Sequence, residues 1–153
     1  MDIALLQQKI QGGDVLMFDL ALNGPDLASD SGLRTAVLLS LLTDRRAEDD
    51  DEIPDGTGDR RGWWADAYAE REGDRWGSRL WLLRRSKQLP ETVRLAREYA
   101  EEALAWMVED GVATSVSVTA EIVSKGLLGL RVEIRQPDGS RFEESFNYPL
   151  EAV

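Results

Sequence analysis

Between residues 14 and 22 apolar and polar positions alternate: Leu16, Phe18, Leu20 and Leu22 fall on one face, with Asp19 opposite. A period of two predicts a half-buried strand, ended by the breaker Asn23-Gly24-Pro25. The pattern then changes. From Gly32 to Thr43 the apolar residues Leu33, Ala36, Val37, Leu38, Leu39, Leu41 and Leu42 cover most of a helix circumference. That helix is expected to be largely buried, with Ser31 as its cap. A short helix is predicted from Ser78 to Lys87, Ser78 serving as N-cap and Leu80, Trp81 and Leu83 turned inward. Pro90 suits a first helical position and Gly111 the left-handed position beyond a last turn, which bounds a long helix ending near Asp110. Its stripe of Val93, Ala96, Ala100, Ala103, Leu104 and Met107 is widened by Leu95, Tyr99 and Trp106.

Period two returns in the last forty or so residues. Val112, Val116, Val118, Ala120 and Ile122 share a face, as do Leu128, Leu130, Val132 and Ile134, and then Phe142, Phe146 and Tyr148. Gln136-Pro137-Asp138-Gly139-Ser140 carries a hairpin turn. The expected fold class is α+β: a single domain over 1–153 with a C-terminal three-stranded antiparallel meander plus an N-terminal strand, covered by about three helices. There is no internal repeat.

One segment fits neither period. Residues 48–59 hold Glu48, Asp49, Asp50, Asp51, Glu52, Asp55 and Asp59, no basic residue, and the breakers Pro54, Gly56 and Gly58. Such a stretch buries too little apolar surface to offset its ordering entropy, so a flexible acidic loop is expected at about 44–62. Arg45-Arg46 and Arg60-Arg61 flank it and are placed to hold its ends.

Composition narrows the chemistry. The chain has 153 residues, 42% hydrophobic and 31% charged, with a formal charge of −11. Nucleic acid and anionic membrane surfaces are repelled at that charge, and no apolar run reaches the roughly 18 residues that span a bilayer. The start Met1-Asp2-Ile3-Ala4 lacks the basic and apolar stretches of a secretory signal, so the chain is expected to be made in a cytoplasm. Without Cys or His there are no thiolate or imidazole metal sites and no Ser-His or Cys-His pair. An EF-hand register from Asp51 puts Ile53 at position three and Gly62 where a bidentate Glu belongs; one from Asp49 puts Pro54 at the turn glycine. Both fail. Lys9, Lys87 and Lys125 lie in no nucleotide-binding motif, and no cofactor is expected. Paired carboxylates remain available for sugar hydrolysis, but among 29 Asp and Glu no spacing singles out a pair.

All but those three of the 18 basic residues are Arg. A GC-rich genome accounts for that as well as an interface does. The outlier is the block holding Trp63, Trp64, Trp76 and Trp81, four of the five Trp, interleaved with Arg60, Arg61, Arg71, Arg75 and Arg79. On one account these indoles fill the core while Arg stems lie around them. That suits Trp81. Adjacent Trp63 and Trp64 point different ways, so burying both is harder, and Trp with Arg also dominates interface hot spots.

Four motifs in order carry a family resemblance: residues 35–47 (Thr35 to Ala47), Asp59-Arg60-Arg61-Gly62-Trp63-Trp64, Gly77-Ser78-Arg79-Leu80-Trp81-Leu82-Leu83 and residues 98–107 (Glu98 to Met107). With Asp110-Gly111-Val112-Ala113 and Pro137-Asp138-Gly139, they resemble the Mu-like phage tail baseplate protein family from about Asp14 to Tyr148. More distantly the chain is similar to the baseplate wedge and sheath-initiator proteins of contractile tails. The resemblance implies a structural protein, not an enzyme, which joins wedge and hub parts and helps initiate the sheath. Its implied partners are other wedge and hub proteins and tail sheath or tube subunits, in multiple copies, with no nucleic acid and no membrane. Its implied place is the virion baseplate after assembly in the host cytoplasm. In the wider group a Glu-Pro-Arg-like element follows the first helix; here Asp44-Arg45-Arg46 holds that place, as an ionic anchor. The expected protein interface is Arg45, Arg46, Arg60, Arg61, Trp63 and Trp64. The competing functions are a tail-associated cell-wall hydrolase using paired carboxylates and an acidic adaptor for a host protein.

Overall fold

The computed structural model describes residues 32–69 and 73–151 and, within residues 1–31, the backbone of six short strands. These pair antiparallel: β1 (Asp2–Ile3) with β6 (Ser29–Asp30), β2 (Leu5–Lys9) with β3 (Leu16–Leu20), and β4 (Leu22–Asn23) with β5 (Asp26–Leu27). The strand expected over 14–22 thus appears as β3 and the start of β4. No alternation in Leu5–Lys9 announced its partner β2. The predicted apolar face and the Ser31 cap lie outside the described residues.

Helix α1 (Leu33–Leu42) begins after Gly32, whose φ of +83° only glycine adopts without strain. Leu33, Val37, Leu38 and Leu41 are buried, and so is Ser40. A buried hydroxyl needs partners: Ser40 Oγ donates to the Ala36 carbonyl at 2.7 Å and accepts from Trp106 Nε1 at 3.0 Å. Beyond Thr43 the chain is extended and runs parallel to residues 77–78. Ser78 N–H donates to Thr43 O at 2.8 Å and Arg45 N–H donates to Ser78 O at 3.0 Å.

This pairing corrects two expectations. The Ser78 side chain caps no following helix; its hydroxyl donates to the Leu41 carbonyl, one of the acceptors left open at the end of α1. The Ser78 hydroxyl is aimed at α1 and not at the backbone N–H groups that follow it, and the next segment starts uncapped. It forms one 3₁₀ turn, Arg79–Leu83, rather than a helix to Lys87. Leu80, Trp81, Leu82 and Leu83 are all buried, so packing sets the backbone here.

Helix α2 (Pro90–Glu109) has Pro in its first turn and is followed by Gly111 at φ +76°, as expected. Its buried face (Thr92, Ala96, Tyr99, Ala100, Ala103, Leu104, Met107) repeats at three and four, and the alanines allow close approach to its neighbours. It packs on β7 (Ser115–Ser124), on α1 and on the 3₁₀ turn. Strands β7, β8 (Leu127–Arg135) and β9 (Arg141–Pro149) form the antiparallel meander with β8 central. On the helix side Leu128, Leu130, Val132 and Ile134 are at most 1% exposed, each contributing about 2 kcal/mol through burial. The other face is wet. There Glu133 pairs directly with Glu143, and Arg131 and Arg141 each contact both carboxylates, offsetting the like-charge repulsion.

Candidate functional site

Everything unusual in the composition collects in the excursion from the end of α1 to the 3₁₀ turn. Arg60 reaches back across its base: its guanidinium donates to the carbonyls of Glu48 and, at 3.0 Å, Asp49, while Ala47 N–H donates to Arg60 O at 2.9 Å. Arg61 stands at φ +55°, a conformation costly for a side-chain-bearing residue. It is held there by Asp59 Oδ1, which accepts its N–H at 2.9 Å, and by Asp44 Oδ2, 2.6 Å from Nη1. Its guanidinium lies 4.5 Å above the centre of Trp81, whose Nε1–H donates to the Arg45 carbonyl at 2.8 Å.

Arg79 closes the other side. It forks Glu102 at 3.0 and 2.7 Å, reaches both Asp51 oxygens at 3.2 and 3.1 Å, and covers the Tyr99 ring at 4.5 Å. Its pKa is raised, first by the Glu102 hydrogen bonds, with desolvation opposing. Asp51, in the middle of the acidic segment, is one of the least exposed carboxylates of the network at 13%. Arg75 pairs with Glu48 at 3.1 Å, and Ile53 packs against the core.

Beside this ionic frame lies an open aromatic groove of about 580 Å³. Rings follow one another along it: Tyr68 to Trp64 at 6.3 Å, Trp64 to Trp63 at 6.0 Å, Trp63 to Trp76 at 6.5 Å, and Trp76 to Trp106 at 5.5 Å between centroids. The geometry is tilted or edge-on throughout, the preferred arrangement for aromatic pairs. Tyr68 is 80% exposed, Trp64 76% and Trp63 45%. Trp106 fixes the inner end through Ser40. Asp66, Asp74 and Asp110 also line the groove. Asp66 Oδ1 accepts Trp76 N–H at 3.0 Å, which ties the short 3₁₀ segment Trp64–Tyr68 to the groove floor.

No group of three or more Asp or Glu is placed to hold a metal ion among the described residues. The arrangement offers apolar area and anchored charge to a partner.

The family model for Phage protein GP46 matches residues 33–141, from the start of α1 into β9. The chain belongs to the phage GP46 family. It is similar to the baseplate protein gp46 of Escherichia phage Mu, 47% identical over 133 residues that cover 84% of this chain and 90% of that protein. It is also similar to the Mu-like prophage FluMu protein gp46 of Haemophilus influenzae, 41% identical over 128 residues, 84% of this chain and 86% of the relative. The resemblance read from the arginine–tryptophan motifs is therefore a membership.

In this GP46-family chain the six residues singled out from sequence separate into two sets. Arg45 donates to the Arg75 carbonyl at 2.8 Å and stands 3.2 Å from Glu102; Arg60 and Arg61 are committed to the excursion as described. Arg46 is exposed, with a 3.5 Å contact to the Arg61 carbonyl. Trp63 and Trp64 present their rings outward, side by side rather than on opposite faces. Trp76, Trp106 and Tyr68 share the groove, and the motif reading gave them no such role. Trp106 had a signal: it lies at the margin of the α2 stripe between Ala103 and Met107, where a large side chain reaches past the buried face.

Proposed function

We propose that this protein is a structural component of a phage tail baseplate, acting through protein–protein contacts in the assembled virion. The observation that carries this is the 47% identity, over 84% of this chain and 90% of the relative, to the baseplate protein gp46 of Escherichia phage Mu. The geometry supports it: the half-buried cations and carboxylates are spent on each other, while the indoles of Trp63 and Trp64 are exposed to a neighbour. Within that role the chain joins wedge and hub parts and helps start the sheath, with Arg46, Trp63 and Trp64 at a contact and Arg45, Arg60 and Arg61 holding them in position. A second site of contact is the outer edge of β9 at Glu143 and Ser145, unpaired among the described strands, which can accept a partner strand from a wedge or sheath subunit.

Mass spectrometry of purified intact tails, with cryo-electron microscopy of the same particles, tests the assignment. The expected result is this chain at constant stoichiometry to the tube and sheath, in density at the baseplate. A chain found only in the soluble fraction, with tails complete without it, overturns the assignment. Turnover of cell-wall glycan by the purified chain, abolished by a single carboxylate substitution, would favour the hydrolase.

A further inference from the structure

Two of the five tryptophans spend their indole N–H inside the molecule: Trp81 donates to the Arg45 carbonyl and Trp106 to Ser40 Oγ. The other three, Trp63, Trp64 and Trp76, stand together in the aromatic groove with Tyr68. Among the described residues, their indole N–H groups and the Tyr68 hydroxyl donate to no acceptor. A polar group covered without a hydrogen-bond partner is costly. A guest that seals this groove must therefore bring acceptors along with apolar surface.

Backbone forms differ in that supply. Helix carbonyls are bonded along the axis, and in a strand each carbonyl is accompanied by an N–H that needs a partner of its own. A polyproline II segment has no internal hydrogen bonds, so its carbonyls are available to a partner, and every proline removes one N–H. It offers acceptors with few donors, and apolar pyrrolidine rings to lay on indoles. The spacing of the groove agrees. Trp64, Trp63 and Trp76 follow one another at 6.0 and 6.5 Å, and one polyproline II turn advances about 9 Å, so prolines a turn apart meet different rings of the row. The row is also fixed before a guest arrives, by the Trp106 bond to Ser40 and by Asp66 Oδ1, which accepts the Trp76 backbone N–H. A preformed groove and a preformed polyproline II segment both reduce the ordering cost of association.

We infer that the groove is a docking site for a proline-rich segment, in polyproline II form, of a neighbouring baseplate protein. Its prolines lie against Trp63, Trp64 and Trp76, and its carbonyls accept from the indole N–H groups and from Tyr68. This rests on the assembly role proposed above and adds the kind of segment that one contact takes.

The test uses assembled tails. Ala69, which lines the groove and is exposed, is replaced by the photocrosslinker p-benzoylphenylalanine, so that every ring of the row is kept. Tails are purified and irradiated, and the crosslinked product is sequenced. The expected product joins position 69 to a segment of another tail protein that carries at least two prolines within about one or two polyproline II turns. In parallel, Trp64→Ala lowers incorporation into tails at least about tenfold. Trp64→Phe, which keeps an aromatic face without the N–H, falls between that variant and the parent. The purified Trp64 variants melt as the parent does, because this side chain is exposed. A crosslink to a segment without proline, to a saccharide or to a second copy of this chain overturns the inference. So do tails that contain the crosslinker-bearing protein and give no product, and Trp64→Ala incorporated at the parental level. Absence of the unmodified parent chain from tails instead overturns the baseplate role, so the two failures are distinct.

Discussion

At Gly77 the chain passes so close to the end of α1 that an added Cβ would overlap the Thr43 carbonyl and come within 2.9 Å of the Arg45 nitrogen, at a φ of +100°. Backbone atoms cannot yield as a flexible side chain does, and two hydrogen bonds of the Thr43–Ser78 pairing depend on that approach. Gly77→Ala is expected to cost about 3 kcal/mol, read from urea unfolding midpoints. Arg79 makes a different kind of demand. Its removal strands Asp51 and leaves Glu102 with Arg45 alone, so Arg79→Met should cost about 3 kcal/mol. Adding Asp51→Asn, which keeps an acceptor for the Glu48 N–H that Asp51 now receives at 2.7 Å, should return part of that loss. A double variant no more stable than Arg79→Met would show that the stranded carboxylate is not what the single change costs.

In the three-stranded meander β7 and β9 are the edge strands, and β9 is laddered to β8 on one side. Gln136 N–H donates to Ser140 O at the hairpin and Leu150 N–H to Gly126 O at the far end, both in step with the even-numbered pairs of the register. The even residues of β9 therefore bond β8, and Glu143 and Ser145 turn their amides to the outer edge, where no described strand pairs with them. Ser145→Pro should leave the ladder whole, lowering stability by about 1 kcal/mol, while blocking strand addition by a neighbour. Folded monomer by circular dichroism with no mature tails is the expected outcome; normal tails would remove the β9 edge from the list of contacts. The meander, α2 and the buried α1 were legible because each follows one hydrophobic period over ten or so residues. The 3₁₀ turn was not: Ser78 has the sequence of a cap, but its hydroxyl is taken by Leu41, residues away in the chain and adjacent in space. The first strands were half legible, since β2 has no alternation of its own and is specified by pairing with β3.

Over the whole molecule, stability at high pH is tied to Tyr148. Burial pushes its phenol up to about 12, with the nearby Arg84 pulling the other way. The unfolded chain ionises near 10, so the contribution is complete below that pH and is lost as pH rises from 10 toward 12. Urea midpoints measured from pH 9 to 11.5 should fall more steeply for the parent than for Tyr148→Phe, by about 2 kcal/mol across the window. Parallel curves would place the phenol's ionisation elsewhere. At this scale the candidate site was partly visible in advance: tryptophan density marked the region, and the ordered motifs gave the family. Which arginines are spent inside the molecule and which indoles are left exposed depended on distances between segments far apart in sequence, such as Arg61 with Asp44 and Trp76 with Trp106.

The Thr43–Arg45 pairing with Gly77–Ser78 has one more effect. It brings the two ends of the excursion together, so the chain that leaves α1 at Thr43 comes back to the end of the same helix at Ser78. A loop closed in this way adds little entropy cost as it lengthens, since closure depends only logarithmically on size. Exposed positions of that loop, Trp63, Trp64 and Tyr68 among them, can vary while Ala47, Asp51 and Ile53 keep it seated on the core. The clasp lets those exposed positions change at little cost to the fold.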